Sequence, residues 1–236
     1  MADERTSPSA TDKAVRALVE AGRVVLAPAG RELVDLDVAN KLIALESGIS
    51  CLCTYTGAGI RRITAFHFPG EFCNLHRYIS PGVDDDPQIA AVTECSFRVL
   101  AGDQLREELT TKASLRLALL KAALREIRIA RQWLLNLPRP AIQRVAHLLC
   151  ELFDRQQASG VVGGVIPLTQ VDLADATGLS AVHINRTIQE LRTIRVMTGD
   201  HHLEVADRKR LGEICSFDGR YLNTSSPLPA VRALRR

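Results

Sequence analysis

The chain has 236 residues and a mass of 25.9 kDa, room for one large domain or two modest ones. Hydrophobic residues make up 46% and charged residues 24%, which excludes a disordered chain, and 15 Gly with 10 Pro exclude a collagen-like or low-complexity one. Lys and Arg number 30 against 27 Asp and Glu, and since the first 137 residues carry 17 of each, the small excess lies wholly in the remainder.

The start, MADERTSPSATDK, is polar and has no signal-peptide core, so residues 1–20 are expected to form a flexible tail and the protein to be cytoplasmic. In that compartment the six Cys, at 51, 53, 73, 95, 150 and 215, should be reduced thiols. None forms a CxxC pair, so no metal site is expected. Every apolar run is far shorter than the roughly 20 residues of a membrane-spanning helix, so no membrane partner is expected.

From Arg23 to Leu100 short apolar runs alternate with turns. RVVLAPAG and KLIALESG each end in Gly. In ISCLCTYTG, Ile49, Cys51, Cys53 and Tyr55 share one face at period two. IRRITAFHFPGEF follows, with a Pro69-Gly70 turn. This spacing predicts a β sandwich or jelly roll over 21–104. After Gly102 the pattern changes. Residues 105–137 contain no Gly or Pro and are rich in helix formers, which predicts one long helix. Leu117, Leu120, Leu124, Ile127 and Leu134 follow a coiled-coil seam, interrupted by Arg131. Leu115, Leu119, Ile129 and Trp133 form a second apolar face. A helix apolar on two faces must touch two things, which could be its own strand domain and a second copy of the chain, the alternative being burial in a single core.

Pro138 and Pro140 end the pattern and mark a hinge. A further helix is expected from Ala141 to Gln157, with Ile142, Val145, Leu148, Leu149 and Leu152 inward, and VVGGV is a loop or short strand. In PLTQVDLADATGLSAVHINRTIQELRTIRVM, Thr169 and Asp172 form a capping-box variant that starts a helix. Gly178 ends it, and Ser180 caps the next helix, to about Ile194. Counted from Gln170 as position 1, Ala174, Gly178 and Ile184 fall at 5, 9 and 15, the spacing of a helix-turn-helix. The small residue permits close approach, the Gly makes the turn, and the Ile packs the second helix on the first. That second helix would enter the DNA major groove, presenting Ala181, Val182, His183, Asn185, Arg186 and Gln189, with Arg186 the best base reader. The cap donors near Thr169 and Ser180 could hold phosphates, and Gln170 is a further DNA-binding candidate. RVMTGDHHLEV reads as a hairpin turning at Gly199-Asp200, a wing.

A strand-rich front half, a long Leu-rich helix and a C-terminal winged helix-turn-helix resemble the Crp/Fnr transcription regulators over residues 20–222. The matching stretches are RRITAFHFPGEF, WLLNL before RVAHLLCEL, LTQVDLADATGLS and VHINRTIQELR, and they look most similar to alphaproteobacterial members. The resemblance implies an α+β chain with a cyclic-nucleotide-binding-like jelly roll at 21–104, a dimerisation helix at 105–137, a winged helix-turn-helix at 138–222 and a C-terminal tail at 223–236. It implies a homodimer on a palindromic site of double-stranded DNA, working with RNA polymerase. Ser180 and Arg186 match DNA-contacting positions. Val182 stands where many members carry Glu, so the usual operator is not assumed for this chain.

Members that bind cyclic nucleotides pair Gly-Glu with a following Arg-Ser or Arg-Thr. Gly70 and Glu71 are present, but Pro81–Glu94 holds no Arg and carries Asp84, Asp85 and Asp86, which would repel a phosphate. Cyclic-nucleotide activation is therefore not expected, and no cofactor is assigned. The alternatives are a redox or gas sensor, through Cys51, Cys53, Cys73 and Cys95 or through haem on His67 or His76, and a ligand-binding module without direct DNA contact. His147 is expected to be structural, and His201-His202 to lie in the wing. With no GxSxG, P-loop, HExxH or Rossmann fingerprint, an enzyme is not expected.

Overall fold

A computed structural model describes residues 17–33, 40–79, 87–161, 163–199 and 202–222. Most of the expected N-terminal tail, the three aspartates at 84–86, Asp200, His201 and the expected C-terminal tail lie outside the described residues. Residues 17–20 are helical and Leu18 is buried, so the end of the expected flexible tail is instead packed against the body.

Among the described residues six strands build the front half: β1 Arg23–Ala27, β2 Lys41–Ser47, β3 Ser50–Tyr55, β4 Arg61–His67, β5 Gln88–Ala91 and β6 Cys95–Ala101. They form two antiparallel three-stranded sheets, ordered β1-β6-β2 and β4-β3-β5. Leu42, Ile43, Ala44 and Leu45 in β2 are all buried because both faces of that strand are covered. Alternation sends Ile43 and Leu45 into a core between the sheets with Phe97 and Ile89, and Leu42 and Ala44 against the helices. Gly48 turns β2 into β3 at φ +86°, and a Cβ there would stand 2.3 Å from the Glu94 carbonyl oxygen. On β3, Cys51 and Cys53 are buried as period two predicts, while Tyr55 at the strand end is exposed.

A short helix, α1 Leu75–Ile79, precedes β5. The expected single helix over 105–137 is two helices, α2 Gly102–Thr111 and α3 Ala113–Asn136. Lys112 between them is extended, at φ −105° and ψ 94°. Thr110 and Thr111 turn their hydroxyls back onto the carbonyls of Glu107 and Glu108, the local competition that weakens a helix. The break lets Leu105 and Leu115 enter the same core, beside Leu75. On α3, Leu115, Ala118, Leu119, Ala122 and Ile129 face inward.

The back half comprises α4 Ala141–Ala158, β7 Val165–Ile166, α5 Gln170–Thr177, α6 Ala181–Thr193, β8 Met197–Thr198, β9 Leu203–Val205, α7 Arg208–Cys215 and a 3-10 turn, Gly219–Leu222. β7, β9 and β8 form a small antiparallel sheet in that order, so VVGGV does lead into a strand. α4 is the central helix, with Val145 through Leu152 all buried. The largest apolar core runs through both halves, joining Ile49, Cys51, Ile63 and Phe66 to Leu149, Leu173, Ile184 and Leu191. The prolines at 138 and 140 therefore bend the chain without separating two independent cores.

Candidate nucleic-acid interface

The helix-turn-helix is fixed by local chemistry. The Thr169 hydroxyl accepts a hydrogen bond from the Asp172 amide at 3.1 Å, and the Asp172 carboxylate accepts one from the Thr169 amide at 3.0 Å, a reciprocal cap. Gly178 closes α5 in the left-handed region, at φ +71°, where no neighbour would crowd a Cβ, so conformation alone selects glycine. The Ser180 hydroxyl accepts from the His183 amide at 3.3 Å and starts α6. Ile184, Thr187, Ile188 and Leu191 are buried, which turns the opposite face outward.

On that face Ala181, Val182, His183, Asn185, Arg186 and Gln189 are all exposed. Thr169 is exposed and Gln170 half-buried. Asn185 donates to the Gln170 side-chain oxygen at 3.2 Å, tying one DNA-binding candidate on α6 to another on α5. The Thr169 amide and hydroxyl hydrogen are already taken by Asp172, so the next amides of the α5 N-terminus are the ones available to an anion there. The wing sheet is anchored by Arg192 of α6, which donates to the His202 carbonyl at 3.3 Å.

Three arginines, Arg61, Arg155 and Arg125, make contacts that local spacing does not foreshadow and tie the two halves together. Arg61 on β4 pairs with Asp172 at 3.2 Å and Asp175 at 3.3 Å, and donates to the Cys51 sulfur at 3.3 Å. Arg155 on α4 crosses to the front half, donating to Glu71 at 2.7 Å and to the Phe66 carbonyl at 2.6 Å. It also pairs with Glu151 at 3.0 Å, whose carboxylate accepts from Tyr221 and Trp133 as well. Arg125 on α3 binds the other Glu71 oxygen. Burial pushes the Glu71 carboxyl up, but Arg155 and Arg125 outweigh it and hold it down at about 2. In the sequence only Glu71 and Glu151 stand out, each beside apolar residues, while Arg125 and Arg155 lie in polar segments that hide them.

Glu71 also lines a cavity of about 300 Å³ between β4 and α3, with Phe66, His67, Phe72 and Glu126. Burial raises Glu126 to about 7 and lowers His67 to about 4. The Gly-Glu pair expected of a nucleotide cassette thus presents a carboxylate already occupied by two guanidinium groups. All six Cys are buried. Among the described residues no group of three or more His, Cys, Asp or Glu side chains is placed to hold a metal ion. Among the same residues no helix is long and apolar enough to cross a membrane.

The seam residues Leu117, Leu120, Leu124, Ile127 and Leu134 are each between 46% and 65% exposed, forming an apolar stripe on the outer face of α3.

A capped helix pair with an exposed second helix, followed by a small sheet, defines a winged helix-turn-helix protein. The family model described as a Crp-like helix-turn-helix domain matches residues 143–214. The transcriptional activatory protein AadR of Rhodopseudomonas palustris is 30% identical over 187 residues, 76% of this chain and 75% of its own length. The nitrogen fixation regulation protein FixK of Rhizobium meliloti is 24% identical over 191 residues, 79% of this chain and 84% of its own. The solved structure of FixK2 from Bradyrhizobium japonicum shares the fold, with a TM-score of 0.67 at 22% identity over 82% of this chain and 96% of that one. The chain belongs to the Crp/Fnr family of transcription regulators, in its alphaproteobacterial type, and is a DNA-binding regulator.

Proposed function

We propose that the protein regulates transcription as a homodimer on a palindromic site, without activation by a cyclic nucleotide. The observation that carries this reading is the pairing of two exposed surfaces, the outward face of α6 and the apolar stripe of α3. In water the stripe is costly to leave bare, and a second copy of the same helix covers it by the seam pattern. Two α6 helices related by a twofold axis then meet two half-sites.

In this reading residues 21–104 form the sensing unit, 105–137 the dimer contact and 138–222 the DNA-binding unit. Val182, His183, Asn185, Arg186 and Gln189 face base edges. Thr169, Gln170 and Ser180 lie against the backbone. The carboxylate of Glu71, held by Arg125 and Arg155, supports the absence of nucleotide control. Relatives named as activators support a contact with RNA polymerase and action in the cytoplasm rather than catalysis. Titrating duplex binding against salt tests the reading. Phosphate contacts release counterions, so affinity should fall linearly on a logarithmic scale. Binding that ignores salt, or no binding, would remove it.

A further inference from the structure

Arg61 opens β4, and its side chain leaves the front sheets to meet α5. One terminal nitrogen of its guanidinium lies 3.2 Å from Asp172 and 3.3 Å from Asp175, and the other donates to the Cys51 sulfur at 3.3 Å. Cys51 is fully buried on β3, so the guanidinium is held from the sheet side as well as from the helix side. Asp172 and Asp175 stand three residues apart on one face of α5, and their side chains are only 11% and 13% exposed. Burial raises the Asp175 carboxyl, and the Arg61 charge pulls it back. The other oxygen of Asp172 closes the α5 cap on Thr169. The first turn of the helix-turn-helix is therefore fastened to the front sheets through one guanidinium.

The apolar core shared by the two halves holds them together, but apolar attraction is non-directional. A guanidinium between two carboxylates is directional, because its planar donors fix where the partners sit. The angular tolerance of a DNA reader is small. α4 has 18 residues and is about 27 Å long. A tilt of α5 and α6 by about 7° over an arm of that length moves α6 by about 3.4 Å, one base-pair step. In a twofold dimer both copies move, so about half that tilt changes the separation of the two α6 helices by one step.

We propose, on the dimeric reading given above, that Arg61 is a positioning residue: through Asp172 and Asp175 it fixes the angle of α6 on the front sheets, and so the spacing of the half-sites that the regulator accepts. Arg186 and its neighbours on α6 choose the bases within a half-site, while Arg61 chooses the distance between half-sites. Spacing preference and base preference are thereby separable. A residue that only supported the fold would lower affinity for every sequence and leave the spacing where it was.

The test uses the full chain and its Arg61→Gln variant, each selecting bound sequences from the same pool of random duplexes, with circular dichroism to establish that the variant is folded. The unmodified chain should enrich an inverted repeat of one spacing and bind it about tenfold more tightly than the same repeat with one base pair inserted. Arg61→Gln should enrich the same half-site sequence at several spacings, and its discrimination against the inserted base pair should fall to about twofold. Asp175→Asn leaves the α5 cap intact and should broaden the spacing in the same direction, so it carries the test if Arg61→Gln does not fold. A single unchanged spacing in the folded variant, whatever its affinity, would overturn the proposal, and so would loss of the half-site sequence itself. If the unmodified chain enriches no repeat, the dimeric reading fails and the role of Arg61 with it, whereas an unchanged spacing in the variant removes the role of Arg61 alone.

Discussion

Arg186 stands six residues after the Ser180 cap on the exposed face of α6, while Ile184 and Ile188 on the same helix are buried. Its side chain has no folding role on that face, so Arg186→Ala should leave stability within about 0.5 kcal/mol. It should cost about 1–3 kcal/mol in binding the proper site and relax the preference at one base pair per half-site. Affinities for a panel of site variants check this; an equal loss on every sequence would make Arg186 a backbone contact. His67 is the residue for a pH prediction. In the folded chain it stays neutral down to about 4 because it is buried, with the Arg155 and His76 charges adding to that and Glu71 opposing it. The unfolded chain binds a proton at about 6.5, so between those values it holds more protons and stability falls as pH is lowered. His147 acts in the same direction, and Glu126, which keeps its proton in the fold up to about 7, opposes both. His67→Gln should remove about one proton from the dependence, about 1.4 kcal/mol per pH unit. Urea unfolding across that window measures it, and an unchanged slope would contradict the burial argument.

Among the elements, α3 carries the sharpest expectation. Leu120 and Leu124 face away from the protein's own core, so changing both to Glu should leave helix content intact. In a dimer the same charges would be buried against their counterparts, at a cost the seam cannot meet. Sedimentation should then show a monomer, with DNA affinity collapsing because one half-site replaces two. A variant that remains dimeric would reassign the interface. The elements also show what a sequence discloses. The caps of α5 and α6, the turn at Gly178 and the outward set on α6 were legible because each depends on residues within one helical pair. The seam was legible as a period. The break at Lys112 was not, because Thr110 and Thr111 weaken a helix without dictating that it stop, and the break is set by where Leu105 and Leu115 find a shared core.

At the scale of the whole molecule, the two halves are joined by charge as well as by apolar packing. Arg155 and Glu71 are 84 residues apart in sequence, and neither side chain carries a local signal of its partner. Replacing Arg155 with Met would leave Glu71 paired with Arg125 alone and Glu151 as a buried carboxylate with no cation partner. Removing one member of such a network costs about 3–5 kcal/mol. Chemical denaturation should show that loss as one cooperative transition, since the main core is continuous; a loss below about 1 kcal/mol would mean that the network is better solvated than its burial implies. The central claim is that two copies of α6, set by the α3 stripe, read an inverted repeat. Selecting bound sequences from a pool of random duplexes tests it most directly. The account predicts enrichment of an inverted repeat whose half-sites are centred about 10 base pairs, one helical turn, apart. Enrichment of a single asymmetric element, or of nothing, would contradict it.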